Sequence, residues 1–158
     1  MLLAAISSAA RAQVVERIEI ADPGIYRGGG NLGTQVEPGS AGGTFTLLSS
    51  WRLVEATTTI PATLGVLFGF QYRTFGPVRA TARLKFVTLV PEPGIRNPNT
   101  GTTSLRGEYF ESVMLAGMHF KGYSFDHSWE IATGMWTFEI WEGDRKLASQ
   151  SFNIIAPY

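Results

Sequence analysis

With 158 residues and no cysteine, the chain can bury one core but can form no disulfide, thiolate nucleophile or cysteine-bound metal. Its 13 Lys and Arg balance 13 Asp and Glu, and no window concentrates basic charge, which argues against a nucleic-acid face or a polybasic membrane anchor. Charged residues are 16% of the chain, against roughly 25% in an average soluble domain, a composition that suits a secreted β-sandwich better than a cytosolic enzyme.

The first feature in chain order is the apolar run Leu2 to Ala10, followed by Ala10-Arg11-Ala12 before Gln13, the A-x-A pattern of signal-peptide cleavage. The run is far shorter than the roughly 20 residues that span a bilayer. No Lys or Arg precedes it, so residues 1–12 are either a signal peptide truncated at its start or an Ala-rich helix. The first is favoured because every later segment reads as β and such a helix would have nothing to pack on. Residues 13–158 then form a single periplasmic or secreted domain. Val14, Ile18 and Ile20, set among charged neighbours, predict a first strand that closes at Asp22-Pro23-Gly24. Residues 27–43 are glycine-rich and aperiodic, predicting a long loop that is either mobile or functional. Thr44 to Thr59, with Trp51 and Leu53, predicts a strand ended by Pro61. Leu64, Val66, Phe68, Phe70 and Tyr72 share one register, the clearest alternating aromatic strand of the chain. Ala82, Leu84 and Phe86 alternate with Arg83 and Lys85 in the next strand.

Turn clusters at Pro91-Glu-Pro-Gly94 and Asn97-Pro-Asn-Thr-Gly101 frame a loop that runs to about Leu105. The segment Glu108 to Phe120 fits a strand with Met114, Ala116, Met118 and Phe120 on one face, or a short helix through Phe110, Val113 and Met114. A further strand is expected over Tyr123 to Ile131, carrying Phe125 and Trp129. Trp136, Phe138 and Ile140 then alternate with Thr137 and Glu139, Gly143-Asp144 breaks the run, and a second β-rich segment ends in Phe152 and Ile154, which together make a hairpin. Its register stays open. A two-residue loop pairs Ile140 with Leu147 and puts Phe152 and Ile154 on the face of Trp141, whereas a three-residue loop pairs Ile140 with Ala148 and puts them beside Trp136, unless a bulge intervenes. Seven or eight strands, with no repeat and no alternating helices, predict an antiparallel, immunoglobulin-like β-sandwich.

Motifs of chemistry are sparse. Gly28-x-Gly30-x-x-Gly33 has the dinucleotide-binding spacing, but that motif requires a helix starting at the loop, and Pro38 with its neighbouring glycines forbids one. His119, Asp126 and His127 lack the spacing of a helical ligand pair and read as surface and turn residues, so no metal or cofactor is expected. Trp136 reads as a core residue whose indole N–H bonds a backbone carbonyl. Trp51, Trp129 and Trp141 are candidates for a stacking or contact surface. Trp141 leads because its parity is opposite to that of Trp136, with Trp129 next.

Gly122-Tyr-Ser-Phe-Asp126, Trp129-Glu130, Gly134-x-Trp136-Thr-Phe138, Gly143-Asp-Arg-Lys-Leu147 to Phe152, and the Asp22-x-Gly24-Ile-Tyr26 turn resemble a family of small secreted bacterial proteins, domain-of-unknown-function family 3859. The resemblance spans most of the chain after residue 12 and rests on turns and core aromatics. It implies one secreted β-domain and carries no catalytic or binding residues. The reading that follows is a non-enzymatic domain acting by protein–protein interaction, with carbohydrate binding through exposed aromatics as the alternative and a hydrolase the least favoured. Its partner would be an envelope protein or a glycan. Neither nucleic acid nor stable membrane insertion is expected, and the domain would be a monomer or weak dimer.

Overall fold

Alternating apolar and polar residues produce strands through almost the whole chain, seen in a computed structural model that describes residues 13–36 and 44–157. In chain order the strands are β1 (Arg17–Val36), β2 (Thr44–Ala56), β3 (Thr59–Pro61), β4 (Leu67–Phe75), β5 (Thr81–Leu89), β6 (Ile95–Arg96), β7 (Thr103–Ser104), β8 (Arg106–Met114), β9 (Met118–Ser124), β10 (Gly134–Glu142) and β11 (Arg145–Ile155), with one 3₁₀ turn at Ser128–Glu130. The first sheet has the order β2-β1-β4-β9 and is antiparallel throughout. The second has the order β3-β11-β10-β5-β8 and is antiparallel except where the short β3 runs parallel to β11. Strands β6 and β7 form a small ribbon of their own. The architecture is the expected antiparallel β-sandwich.

The two inner faces meet in an aromatic core. From the first sheet come Phe68, Phe70 and Tyr72, and from the second Leu84, Phe86, Trp136, Phe138, Ile140, Phe152 and Ile154, all buried. Phe68 lies at the centre, with ring centroids 5.8 Å from Trp136, 5.8 Å from Phe138, 5.3 Å from Phe152 and 5.3 Å from Phe125. Most of these pairs are tilted or edge-on, the arrangements that ring quadrupoles favour. The Trp136 indole N–H donates to the Ala132 carbonyl at 2.7 Å, so the largest core side chain leaves no polar atom unsatisfied.

The β10–β11 hairpin resolves its register through a bulge. The turn is the short one: Glu142 pairs with Arg145, and Gly143 has φ +57°, at the first of the two turn positions, where a II′ turn favours glycine. Ile140 nevertheless pairs with Ala148, because a bulge falls between Ile140 and Trp141 and leaves Leu147 as the extra residue. The bulge moves Phe152 and Ile154 onto the face of Trp136.

Glycines shape the first sheet. Gly24 pairs with Gly69, and Gly69 with Gly122, giving a row across β1, β4 and β9. A Cβ on Gly69 would run into the Lys121 carbonyl oxygen and lie 2.5 Å from the Gly122 Cα. Bulges interrupt β1 on both sides of this row, between Ala21 and Gly24 and between Ile25 and Tyr26. With side chains missing from the row and bulges bending β1, the sheet curls so that Trp51 on one edge strand stacks on Phe120 of the other, at 5.5 Å.

Several expectations change. Residues 27–36 of the loop expected over 27–43 belong to β1 and run beside β2, so the Gly28 to Gly33 spacing lies on a strand, while residues 37–43 lie outside the described residues. Leu64 is 55% exposed in the turn that precedes β4, so the aromatic strand begins at Leu67. Glu108 to Phe120 is two strands, with the opposite face buried from that expected. Val113 and Leu115 enter the core while Met114 and Met118 stay exposed, because odd-numbered positions face inward on both strands, which a turn with Ala116 at φ +58° joins. The strand expected over 123–131 ends at Ser124 and gives way to the 3₁₀ turn that carries Trp129. Residues 1–12, read as a signal peptide, lie outside the described residues.

Two substitutions test this frame. Trp136→Ala should lower stability by about 3–5 kcal/mol, whereas the half-buried Trp141→Ala should lose less than half of that, read from urea midpoints. Gly69→Ala should cost about 1–3 kcal/mol, because its methyl group meets backbone that cannot rotate away. The same change at the open Gly33, a glycine with φ +108°, should be destabilising only through local backbone strain.

Candidate functional site on the open flank

Each sheet ends on the same flank in an edge strand, β9 for the first and β8 for the second. The two strands are consecutive, and their connection is pinned by the Leu115 N–H donating to the Ala80 carbonyl at 2.8 Å and the Thr74 N–H to the Gly117 carbonyl at 3.1 Å. Strand alternation turns Tyr109, Glu111 and Val113 of β8 toward the interior, opposite Phe86, Leu84 and Ala82 of β5. It does the same for His119, Lys121 and Tyr123 of β9, opposite Tyr72, Phe70 and Phe68 of β4. Between the edges a slot opens. It belongs to a cavity of about 780 Å³ that continues around β9 to the Trp51–Phe120 pair.

The slot mixes aromatic faces with ionisable groups. Tyr109 stacks on Phe86 at 5.0 Å. The Lys121 ammonium lies 4.9 Å from the Tyr109 ring and 5.4 Å from the Phe138 ring, although only 6% of the residue is exposed, and those ring faces offset part of its lost hydration. His119 packs on Tyr72 at 5.2 Å and bonds the Met114 carbonyl through Nε2 at 2.9 Å. Tyr72 is 2% exposed, and its hydroxyl makes no hydrogen bond among the described residues. Burial pushes the Tyr72 phenol well above its ordinary value, and the Glu111 charge adds to the shift. Glu111 stands at the mouth of the slot. Lost solvation raises its carboxyl, against the lowering influence of His119 and Lys121.

Glu130 closes the far end. Its Oε2 accepts the backbone N–H groups of Asp126 and His127, both at 2.8 Å, and its Oε1 accepts the Tyr123 hydroxyl at 3.3 Å. The motif Gly122 to Glu130 is therefore a strand end and a turn held together by one buried carboxylate.

Trp141 and Trp129 lie elsewhere, and no contact joins them. Trp141 is half-buried on the outer face of the second sheet, where its indole N–H donates to Glu139 at 3.3 Å and the ammonium groups of Lys85 and Lys146 lie 5.3 and 5.8 Å from its ring. Trp129 stacks on His127 at 5.2 Å in the 3₁₀ turn. Of the three tryptophans considered from sequence, the cavity wall takes Trp51. His119, Asp126 and His127 are each engaged locally, with Asp126 accepting the Ser124 hydroxyl at 2.9 Å. No group of three or more His, Asp or Glu side chains that could hold a metal occurs among the described residues. Nor, among them, is any helix long and apolar enough to cross a membrane. Tyr72, Tyr109, Glu111 and Lys121 were missed as site residues. Their inward parity was the available signal, hidden because the outward positions carry the apolar Phe110, Met114 and Met118 while the inward ones carry Glu111, His119 and Lys121.

An immunoglobulin-like protein from Pseudomonas aeruginosa, known from a crystal structure, is similar over 94% of this chain and 100% of its own, with 24% identity and a TM-score of 0.62, a likeness of fold. No curated protein matches. The model of a domain of unknown function, DUF3859, matches residues 17–154, from the first residue of β1 to the penultimate residue of β11. The chain belongs to the DUF3859 family.

Proposed function

We propose that the chain is a non-enzymatic periplasmic or secreted domain that acts by protein–protein interaction through its open flank. The carrying observation is a nine-residue edge strand, β8, at the end of its sheet and beside exposed apolar side chains. Edge strands of this length offer a row of main-chain donors and acceptors to another chain, and proteins that do not use them generally shorten, cover or charge them. On β8 the outward Phe110 and Met114 are 53% and 60% exposed, and Met118 at the start of β9 is 40% exposed. Arg106 and Glu108 at one end of the strand pair with each other at 3.1 Å, and Glu111 is the charge in its middle, facing the slot.

Carbohydrate binding remains the second reading, favoured by the Trp51–Phe120 stack on the cavity wall rather than by Trp141 or Trp129. A glycan array separates the two readings. The compartment is inferred from the Ala10-Arg11-Ala12 pattern. The fold is compatible with cleavage there. Glu142 accepts the Val14 and Val15 N–H groups at 3.0 and 3.2 Å and pairs with Arg145 at 2.9 Å, a clasp that begins one residue beyond Gln13 and survives the cut.

Expression from its natural start followed by fractionation should yield a periplasmic or secreted product beginning at Gln13 by intact mass. A cytoplasmic product retaining Met1 would refute export. A photo-crosslinker at Ser112 on β8 should give a discrete protein adduct in envelope extract, whereas one at the exposed Asn153 on β11 should give none. Equal labelling from both positions, or none from either, would remove the flank from consideration.

A further inference from the structure

The chemistry of the slot narrows what can enter it. An extended chain laid along β8 alternates its side chains, so every second one is directed between the sheets, beside Tyr109, Glu111 and Val113. There it meets two groups that make no hydrogen bond or ion pair among the described residues: the hydroxyl of Tyr72, a residue 2% exposed, and the carboxylate of Glu111, which is exposed at the mouth of the slot and lies within the influence of His119 and Lys121. Tyr109 and Tyr123 also line the wall. Around the whole cavity, Glu111, Asp126 and Glu130 outnumber Arg27 and Lys121. Lys121 already shows that this ring array holds an ammonium away from water.

We propose that the partner at this flank is an extended polypeptide strand that adds to the β8 edge and inserts a lysine or arginine side chain into the slot beside Tyr72 and Glu111. The inference rests on the flank being the contact surface and adds the identity of the side chain that enters. A cation donates to both oxygens and gains from the aromatic rings beside them. An apolar side chain would cover the Tyr72 hydroxyl and the Glu111 carboxylate without bonding either, and an acidic one would be repelled by Glu111. Main-chain pairing along β8 supplies affinity, and the slot supplies specificity.

The test uses fluorescence polarisation with three labelled peptides, each matched to the nine residues of β8, built of alternating threonine and valine with a central lysine, leucine or glutamate. The lysine peptide should bind about tenfold more tightly than the leucine peptide, and the glutamate peptide should be weakest. Glu111→Gln should remove most of that preference while leaving leucine-peptide binding intact, and Tyr72→Phe should reduce it severalfold. Urea midpoints on both variants separate lost recognition from lost folding. Equal affinity for lysine and leucine peptides, an unchanged preference in folded Glu111→Gln, or no binding of any peptide at about 1 mM would overturn the proposal. Crosslinking from Ser112 that persists in a Glu111→Gln variant lacking any peptide preference would retain the flank as a contact surface and still discard the basic side chain.

Discussion

Phe68 is the residue on which the two sheets agree. Its ring touches Trp136, Phe138 and Phe152 of the second sheet from a position in the middle of the first. An interior packed to crystal-like density leaves little freedom in which side chains may arrive there. Each strand's register is therefore set by what it must deliver to this centre. The hairpin shows the consequence. A two-residue turn alone would put Phe152 on the wrong face, and the bulge at Leu147 restores it. One irregular residue costs less than leaving a phenylalanine and an isoleucine outside the core.

The same economy leaves one flank open. The glycine row from Gly24 through Gly69 to Gly122 lets the first sheet curl over its outer face, burying Tyr26 against Phe120. Curling gives that sheet a second, smaller aromatic cluster, but it does not seal the side on which β8 and β9 end. The inward positions near that side carry Glu111, His119, Lys121 and Tyr109 in place of the aliphatic residues that fill a closed core. Lys121 is accommodated between rings, and His119 is tied to the β8–β9 turn. A wall of this composition is suited to a ligand with polar groups of its own.

The residues that carry the family resemblance are architectural. The Tyr26 hydroxyl donates to the Asp22 carbonyl, Glu130 caps the turn after β9, and Gly143 takes the positive φ of the hairpin turn. Membership of the family and likeness to an immunoglobulin-like structure therefore speak to the fold, which hosts many unrelated functions. Function has to be argued from what is particular to the open flank.

Local pattern was enough for the sandwich itself. Trp136, Phe138 and Ile140 announce a buried face by alternation, and so do Phe68, Phe70 and Tyr72, because a strand's two-residue period is written directly in the chain. The indole bond of Trp136 was also legible, since a buried N–H must find an acceptor. Three things were decided only in three dimensions. The bulge at Leu147 answers to Phe68, a residue in the other sheet. The buried face of β8 was obscured by its composition, since Phe110 and Met114 face outward while Glu111 faces in, and only the strand opposite shows which side is the interior. The slot is built from Tyr72, Tyr109, Glu111 and Lys121, which lie on three strands of two sheets, so no spacing along the chain records their meeting. Periodicity reveals which way a side chain faces within its own strand. What it faces depends on the strand that comes to lie opposite, and that is settled by packing across the whole domain.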